Sequence, residues 1–204
     1  MLNLTHELMI QFLTFKIIIY NQKGEYNMAL NLTKNKTINL TKSAPTMKEF
    51  IIGLAWDAEA DLDASALVLD ENGKLISIVY YSDLQSEGVK HSGDARDGEA
   101  EGDDESITIN LEQLPSNASK VLVTITSYSD SEPVTFGAAQ NPVATLKANG
   151  KTLVEAKLDE EAAFGTSVEF VELYKEGVEW QYKNVSETLG MSANGLEDVV
   201  NKYQ

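Results

Sequence analysis

The sequence predicts a mainly β protein, a two-sheet antiparallel β-sandwich with a few short peripheral helices. Apolar, β-rich runs recur along it at short spacing with turn chemistry between them, the pattern of packed antiparallel sheets. The clearest pair, Val143 to Ala148 and Lys151 to Leu158, is separated by Asn149-Gly150 alone, the dipeptide that best tolerates the positive φ angles of a two-residue hairpin. With 204 residues, 43% of them hydrophobic, the chain is long enough for one full-sized core and short for two.

The elements follow in order. Asn31-Leu32-Thr33-Lys34 recurs as Asn39-Leu40-Thr41-Lys42, and both read as short alternating strand segments with polar residues toward solvent. Phe50 to Leu54, Ala64 to Leu69 and Leu75 to Tyr81 are strands, the last two joined by the turn Asp70-Glu71-Asn72-Gly73. Val121 to Tyr128, which contains VLVTIT, is another strand. Thr166 to Lys175 and Val178 to Val185 form a hairpin around Glu176-Gly177, with Trp180 and Tyr182 on one face. Asn194 caps a short helix running through Val199 and Tyr203, with Glu197 reaching back as in a capping box. The aromatics Trp56, Phe136, Phe170 and Trp180 read as core or core-edge residues rather than as a ligand platform.

Charge excludes several functions. The formal net charge is −16 and the pI is near 4.4, so the chain offers no basic face to nucleic acid or to an anionic membrane surface. Cysteine is absent, which removes disulfides, thiolate metal sites and a cysteine nucleophile. The apolar stretch Met9 to Tyr20 is too short for a bilayer span, carries Lys16, and lacks a basic leader and a cleavage site. Lys23-Gly24-Glu25 can be encoded as a purine-rich ribosome-binding sequence just before Met28-Ala29. Residues 1–27 are therefore expected to be an upstream reading and 28–204 a single domain. That domain keeps only one histidine, His91, which ends any scheme needing two imidazoles.

The most informative segment is HSGDARDGEAEGDDE, His91 to Glu105. It holds seven carboxylates, three glycines and one arginine. Asp94, Asp97, Glu99, Glu101, Asp103, Asp104 and Glu105 cannot gather without a counter-charge, while Gly93, Gly98 and Gly102 let the backbone turn sharply. Upstream, Trp56-Asp57 leads into Asp61-Leu62-Asp63-Ala64-Ser65, where two carboxylates two residues apart point to the same side of an extended segment. Together the two clusters make an oxygen cage suited to Ca2+, a hard cation that takes six to eight oxygen ligands. Each cluster alone also reads as a solvated acidic loop or strand end. Neither is an EF-hand: from Asp94 the ligand and glycine positions fall on Arg96 and Glu99, and from Asp57 they fall wrongly on Leu62 and Val68. No glycine-aspartate nonapeptide repeat is present.

Gly53-Leu54-Ala55-Trp56-Asp57, then Asp61-Leu62-Asp63-Ala64-Ser65-Ala66 and the His91 to Glu105 loop, resemble the TerD family of tellurium-resistance and stress proteins. Phe136-Gly137 with Gln140-Asn141, Glu172-Leu173-Tyr174 and Glu179-Trp180 carry the likeness further, over nearly all of Leu30 to Tyr203. The resemblance implies a calcium-binding β-sandwich of the tellurite and stress response, without enzymatic chemistry. It assigns metal ligation to Asp61, Asp63, Asp94, Asp103, Asp104 and Glu105, with Asp57, Asp97, Glu99 and Glu101 as further candidates. It also implies a cytoplasmic protein whose partners are other tellurium-resistance proteins, among them a membrane-embedded member that would hold it at the inner membrane face. The sequence departs from the family pattern at Ala95, where the family has asparagine, and at Ala100, where it has glycine. The Asp57 to Asp61 connection is shorter than usual, and Asn35 stands where a glycine is expected. These departures bear on the number of bound ions more than on their existence.

A second reading, from another class, is a calcium-stabilised carbohydrate-binding or glycoside-cleaving sandwich, in which two carboxylates flank a sugar. It needs exposed aromatics beside the acids, for which Tyr80 and Tyr81 are the nearest candidates. A serine hydrolase is excluded by the lack of a G-x-S-x-G elbow. For the leader, peptide mapping of the native protein should recover nothing from within Met1 to Lys23; a single such peptide overturns the assignment of the start to Met28.

Overall fold

In the computed structural model, which describes residues 19–20, 26–27, 30–56, 61–95, 102–129, 132–137, 142–157 and 160–203, Asn149 and Gly150 both take positive φ (49° and 69°) and close the expected hairpin. The strands in chain order are β1 (Ile19–Tyr20), β2 (Tyr26–Asn27), β3 (Leu30–Asn31) and β4 (Thr37–Asn39), then, after helix α1 (Leu40–Ser43), β5 (Glu49–Ala55), β6 (Leu62–Leu69) and β7 (Leu75–Val79). They continue with β8 (Gln85–Ser86), β9 (Val89–His91), β10 (Glu105–Asn110), β11 (Lys120–Ser127), β12 (Val143–Ala148) and β13 (Lys151–Lys157). A 3-10 turn (Glu160–Phe164), β14 (Ser167–Glu176), β15 (Glu179–Gly190) and helix α2 (Gly195–Tyr203) complete the described chain.

Two sheets form the sandwich, apart from the short β1-β2 pair. One has seven strands in the order β3-β13-β12-β5-β10-β9-β8, the other six in the order β4-β15-β14-β11-β6-β7. All pairings in them are antiparallel except β3 with β13 at the edge. The core lies between them: Phe50, Ile52, Leu54, Ile107 and Leu146 from the first sheet pack with Leu62, Ala66, Val123, Ile125 and Phe170 from the second. Trp56, Phe136 and Trp180 are buried in the same cluster.

Strand β6 is buried at every residue. Leu62, Ala64, Ala66 and Val68 face the core, whereas Leu67 and Leu69 face outward and pack with Leu122 and with Val199 of α2. A strand covered on both faces has no solvent side, so from Ala66 onward its sequence reads as a continuous apolar run. No helix among the described residues is long and apolar enough to cross a membrane.

Several expected boundaries change. The second Asn-Leu-Thr-Lys segment is not a strand: Asn39 ends β4 and acts as the N-cap of α1, its side chain accepting the Lys42 N–H at 2.8 Å, the role for which asparagine is favoured. The first echo contributes only Leu30–Asn31 to a strand, and Asn35 takes the left-handed conformation (φ 62°) that asparagine tolerates. In α2 the Asn194 side chain accepts the Glu197 N–H, but the carboxylate that reaches back is that of Asp198, onto the Ser192 N–H and hydroxyl. β8, β9 and β10 were not foreseen. β10 buries Glu105, Ile107 and Ile109 on alternate positions, and its acidic first residue masks that period. Asp57, Asp97, Glu99, Glu101, Gln140, Asn141, Leu158 and most of the leader lie outside the described residues.

Leu67 is fully buried between the six-stranded sheet and α2. Leu67→Ala should therefore cost about 2–5 kcal/mol in urea unfolding, with the denaturant slope unchanged; a loss under about 0.5 kcal/mol, the range of ordinary surface substitutions, would show that α2 does not seal this face.

Candidate metal centre

At one end of the sandwich, β6 outruns its neighbour. β7 pairs with β6 from Ala66 onward, so at Ala64 the backbone groups on that side meet side chains from the opposite sheet instead. The Ala64 N–H donates to Glu105 Oε2 at 2.6 Å, and the Ala64 carbonyl accepts from His91 Nε2 at 2.9 Å. Glu105 Oε1 accepts the Ala95 N–H at 3.1 Å, which ties down the segment carrying Asp94. Both Glu105 and His91 are buried, and Glu105 Oε2 lies 3.4 Å from His91 Nε2.

The Gly93 N–H donates to His91 Nδ1 at 3.0 Å, which in the neutral ring places the proton on Nε2. Burial lowers the His91 pKa. The hydrogen bond and charge of Glu105, the Ala64 carbonyl and the Asp63 charge outweigh it, and the net direction is upward.

This stitch sets Asp61 and Asp63, just before Ala64, beside Asp94. Each of the three offers a carboxylate oxygen, and these oxygens all lie within 4.8 Å of one another. Asp63 is buried, Asp61 half-buried and Asp94 exposed. The Asp63 pKa is pushed up to about 7, first by burial and then by the charges of Glu105, Asp61 and Asp94, with His91 opposing. The Asp61 carbonyl accepts the Tyr128 N–H at 3.2 Å, which fixes it to β11.

The remaining acidic candidates separate. Asp103 turns to β12, where its carboxylate meets Lys147 Nζ at 2.5 Å and Thr145 Oγ1 at 3.4 Å. It lies across Gly53, where an added Cβ would sit 2.1 Å from its Oδ2, so a side chain at that point would displace the Asp103 carboxylate. Asp104 Oδ2 accepts the Trp56 N–H at 2.9 Å, while Oδ1 is buried with no hydrogen bond among the described residues. Glu105 is the inter-sheet bond acceptor described above.

The donor set suits a hard cation. Three carboxylates from two chain segments converge with only oxygen to offer, the charges of Asp61 and Asp94 help to raise the Asp63 pKa, and a buried oxygen of Asp104 has no hydrogen bond among the described residues. A divalent ion at this point would supply positive charge, and three carboxylates can provide up to six oxygens. Tyr80 and Tyr81 meet edge-on at 87°, so they present no common flat face for stacking a sugar.

The family model described as the TerD domain matches residues 28–203. The tellurium resistance protein TerD of Serratia marcescens is 34% identical over 190 residues, covering 86% of this chain and 97% of its own length. Stress response protein SCP2 of Bacillus subtilis (strain 168) is 31% identical over 201 residues, covering 86% of this chain and all of its own length. Among solved structures, a homologue of the telluride resistance protein (TerD) from Streptomyces coelicolor A3(2) superposes with a TM-score of 0.62 at 19% identity, covering 72% of this chain and 92% of that one; this is a likeness of fold.

Glu105→Gln tests the stitch. An amide has one acceptor atom where the carboxylate uses two, so one of the Ala64 and Ala95 N–H groups is left facing an NH2 group, at a cost of about 1–3 kcal/mol. The same change removes a charge that raises the Asp63 pKa, so an NMR titration should place the Asp63 carboxyl below about 7. Unchanged unfolding and an unchanged Asp63 titration would disprove the stitch.

Proposed function

This chain belongs to the TerD family of tellurium-resistance and general stress proteins, and from that premise we propose that it is a non-enzymatic calcium-binding member acting as a calcium-ordered scaffold for partner proteins. Asp61, Asp63 and Asp94 would hold the ion. Glu105 and His91 would orient the first two through Ala64, and Glu105 the third through Ala95. The observation that carries this reading is the gathering of three carboxylates from separated segments, one of them buried, within 4.8 Å. Like charges so placed repel one another unless a cation or a proton intervenes.

The bound ion supplies positive charge to this cluster. The chain's own residues do the rest: the β6 end and the Asp94 segment are held against the same two side chains, so ordering of the acidic loop is transmitted to both sheets. The partners are proposed to be other tellurium-resistance proteins, one of them membrane-embedded, which would place the chain at the inner face of the membrane. The names of its relatives, a tellurium resistance protein and a stress response protein, support the resistance and stress role.

Calcium should raise the melting temperature where equal ionic strength from sodium does not. Linkage gives about 2.7 kcal/mol when free ion is a hundred times the dissociation constant. Magnesium should do less, since it demands a tight octahedron and keeps its waters. Asp61→Asn and Asp63→Asn should each abolish most of the calcium effect while leaving the metal-free fold as stable or slightly more so. Glu112→Gln, at an exposed Lys48 ion pair, is the control. A melting curve unmoved by millimolar calcium removes the reading.

The pH dependence has a definite sign. Asp63 has a model-compound pKa of 3.8 and a folded value of about 7, so its stabilising proton is fully present below about 4 and is lost as the pH rises through 7. Ionising it in the metal-free fold costs about 4 kcal/mol. Metal-free protein should therefore melt lower at pH 8 than at pH 5, and saturating calcium or Asp63→Asn should flatten that slope. A metal-free slope that survives Asp63→Asn would assign it to another group.

A further inference from the structure

Among the described residues, six large apolar side chains are exposed: Tyr81, Leu84, Tyr128, Phe164, Val178 and Met191. Five of them ring the acidic end. On one flank, the Leu84 carbonyl accepts the His91 N–H at 2.9 Å, and Tyr81 lies in the turn that precedes it. On the other flank, the chain ends of neighbouring strands follow one another. The Tyr128 N–H donates to Asp61, the Ser127 N–H donates to the Thr166 carbonyl two residues after Phe164, and the Thr166 N–H donates to the carbonyl of Gly190, next to Met191. β6, β11, β14 and β15 are consecutive in the sheet, so three interstrand steps of about 4.8 Å span the row from Asp61 to Met191. Phe164 is 73% exposed and Met191 65%. Only Val178, at the β14-β15 turn, occupies the opposite end.

Charge selects what can cover this surface. Among the described residues, Asp61, Asp63, Asp94, Asp103, Asp104 and Glu105 make six carboxylates at this end, against which stands Lys147, paired with Asp103. Five negative charges remain, and one calcium ion leaves three. An anionic lipid or a nucleic acid is repelled by that surplus, whereas a lysine- or arginine-rich segment is drawn to it. Exposed aromatic and thioether side chains around the charge supply apolar anchoring, and methionine adapts to varied contours.

We propose that the acidic end, with Tyr81 and Leu84 on one flank and Tyr128, Phe164 and Met191 on the other, is a docking surface for a cationic amphipathic segment of a partner protein. This rests on the scaffold reading above and specifies the chemistry of its partner. The charged centre draws the segment in and sets its orientation, while the apolar rim holds its nonpolar face.

The probe is a fluorescently labelled amphipathic peptide of leucine and lysine, titrated with the calcium-saturated full-length protein and followed by anisotropy. Binding is expected, weakening as sodium chloride is raised. The Phe164→Ser, Met191→Ser double variant should bind about tenfold or more weakly, whereas Val178→Ser should bind as the parent does. The calcium-dependent rise in melting temperature, measured on the same samples, should persist in all three. Unaltered affinity of the double variant, an equal loss with Val178→Ser, or preferential binding of a leucine-glutamate peptide or of anionic phospholipid vesicles overturns the proposal. A melting rise without peptide binding defeats the docking surface alone, and peptide binding without a melting rise defeats the calcium reading alone.

Discussion

The acidic centre depends on the two bonds by which Glu105 and His91 satisfy the backbone of Ala64. A strand that runs past its neighbour leaves an N–H and a carbonyl facing away from the ladder, and inside a core these cannot stay unmatched. Here the opposite sheet provides an acceptor and a donor as side chains. The solution is demanding: a fully buried carboxylate is tolerated only because two backbone N–H groups donate to it and an imidazole N–H lies beside it. Since those two N–H groups belong to Ala64 and Ala95, one side chain fixes the register between the β6 end and the Asp94 segment. Asp61, Asp63 and Asp94 are brought together by a bond that none of them makes.

Repulsion is the consequence. Asp63 is buried among three other carboxylates, and its proton affinity rises until it titrates near neutrality. Among the described residues, Lys147 is taken by Asp103 on the far side of β5, and His91 Nδ1 accepts the Gly93 N–H. A proton or a cation at such a site would serve a similar electrostatic purpose, so metal binding there would be coupled to pH.

The partition of the acidic residues also explains small features elsewhere. Gly53 leaves room for the Asp103 carboxylate, which crosses the strand where a Cβ would lie. Trp56 is presented in the correct register because Asp104 accepts its N–H and donates its own to Leu54. The three consecutive acids Asp103, Asp104 and Glu105 thus serve three different purposes: an ion pair to β12, a backbone cap on the end of β5, and the stitch between sheets.

The sequence by itself determined the sandwich, most of its long strands, and the pairing of Asp61 and Asp63, because period-2 alternation, Asn-Gly turns and two-residue spacing are local properties of the chain. It also marked the acidic loop as a candidate for cation binding, since charge is counted without coordinates. Only the tertiary structure decided which acids share a site. Seven carboxylates in fifteen residues look alike along the chain; Glu105 becomes an inter-sheet acceptor and Asp103 a lysine partner because of where β6, β9 and β12 lie relative to β10. For the same reason His91, read as a loop residue, ends a strand and donates to Ala64. Asn39, read as part of a strand, caps a helix. In each case the deciding partner is far away in sequence or lies in a turn whose geometry competes with the alternating pattern, and local spacing carries no information about either.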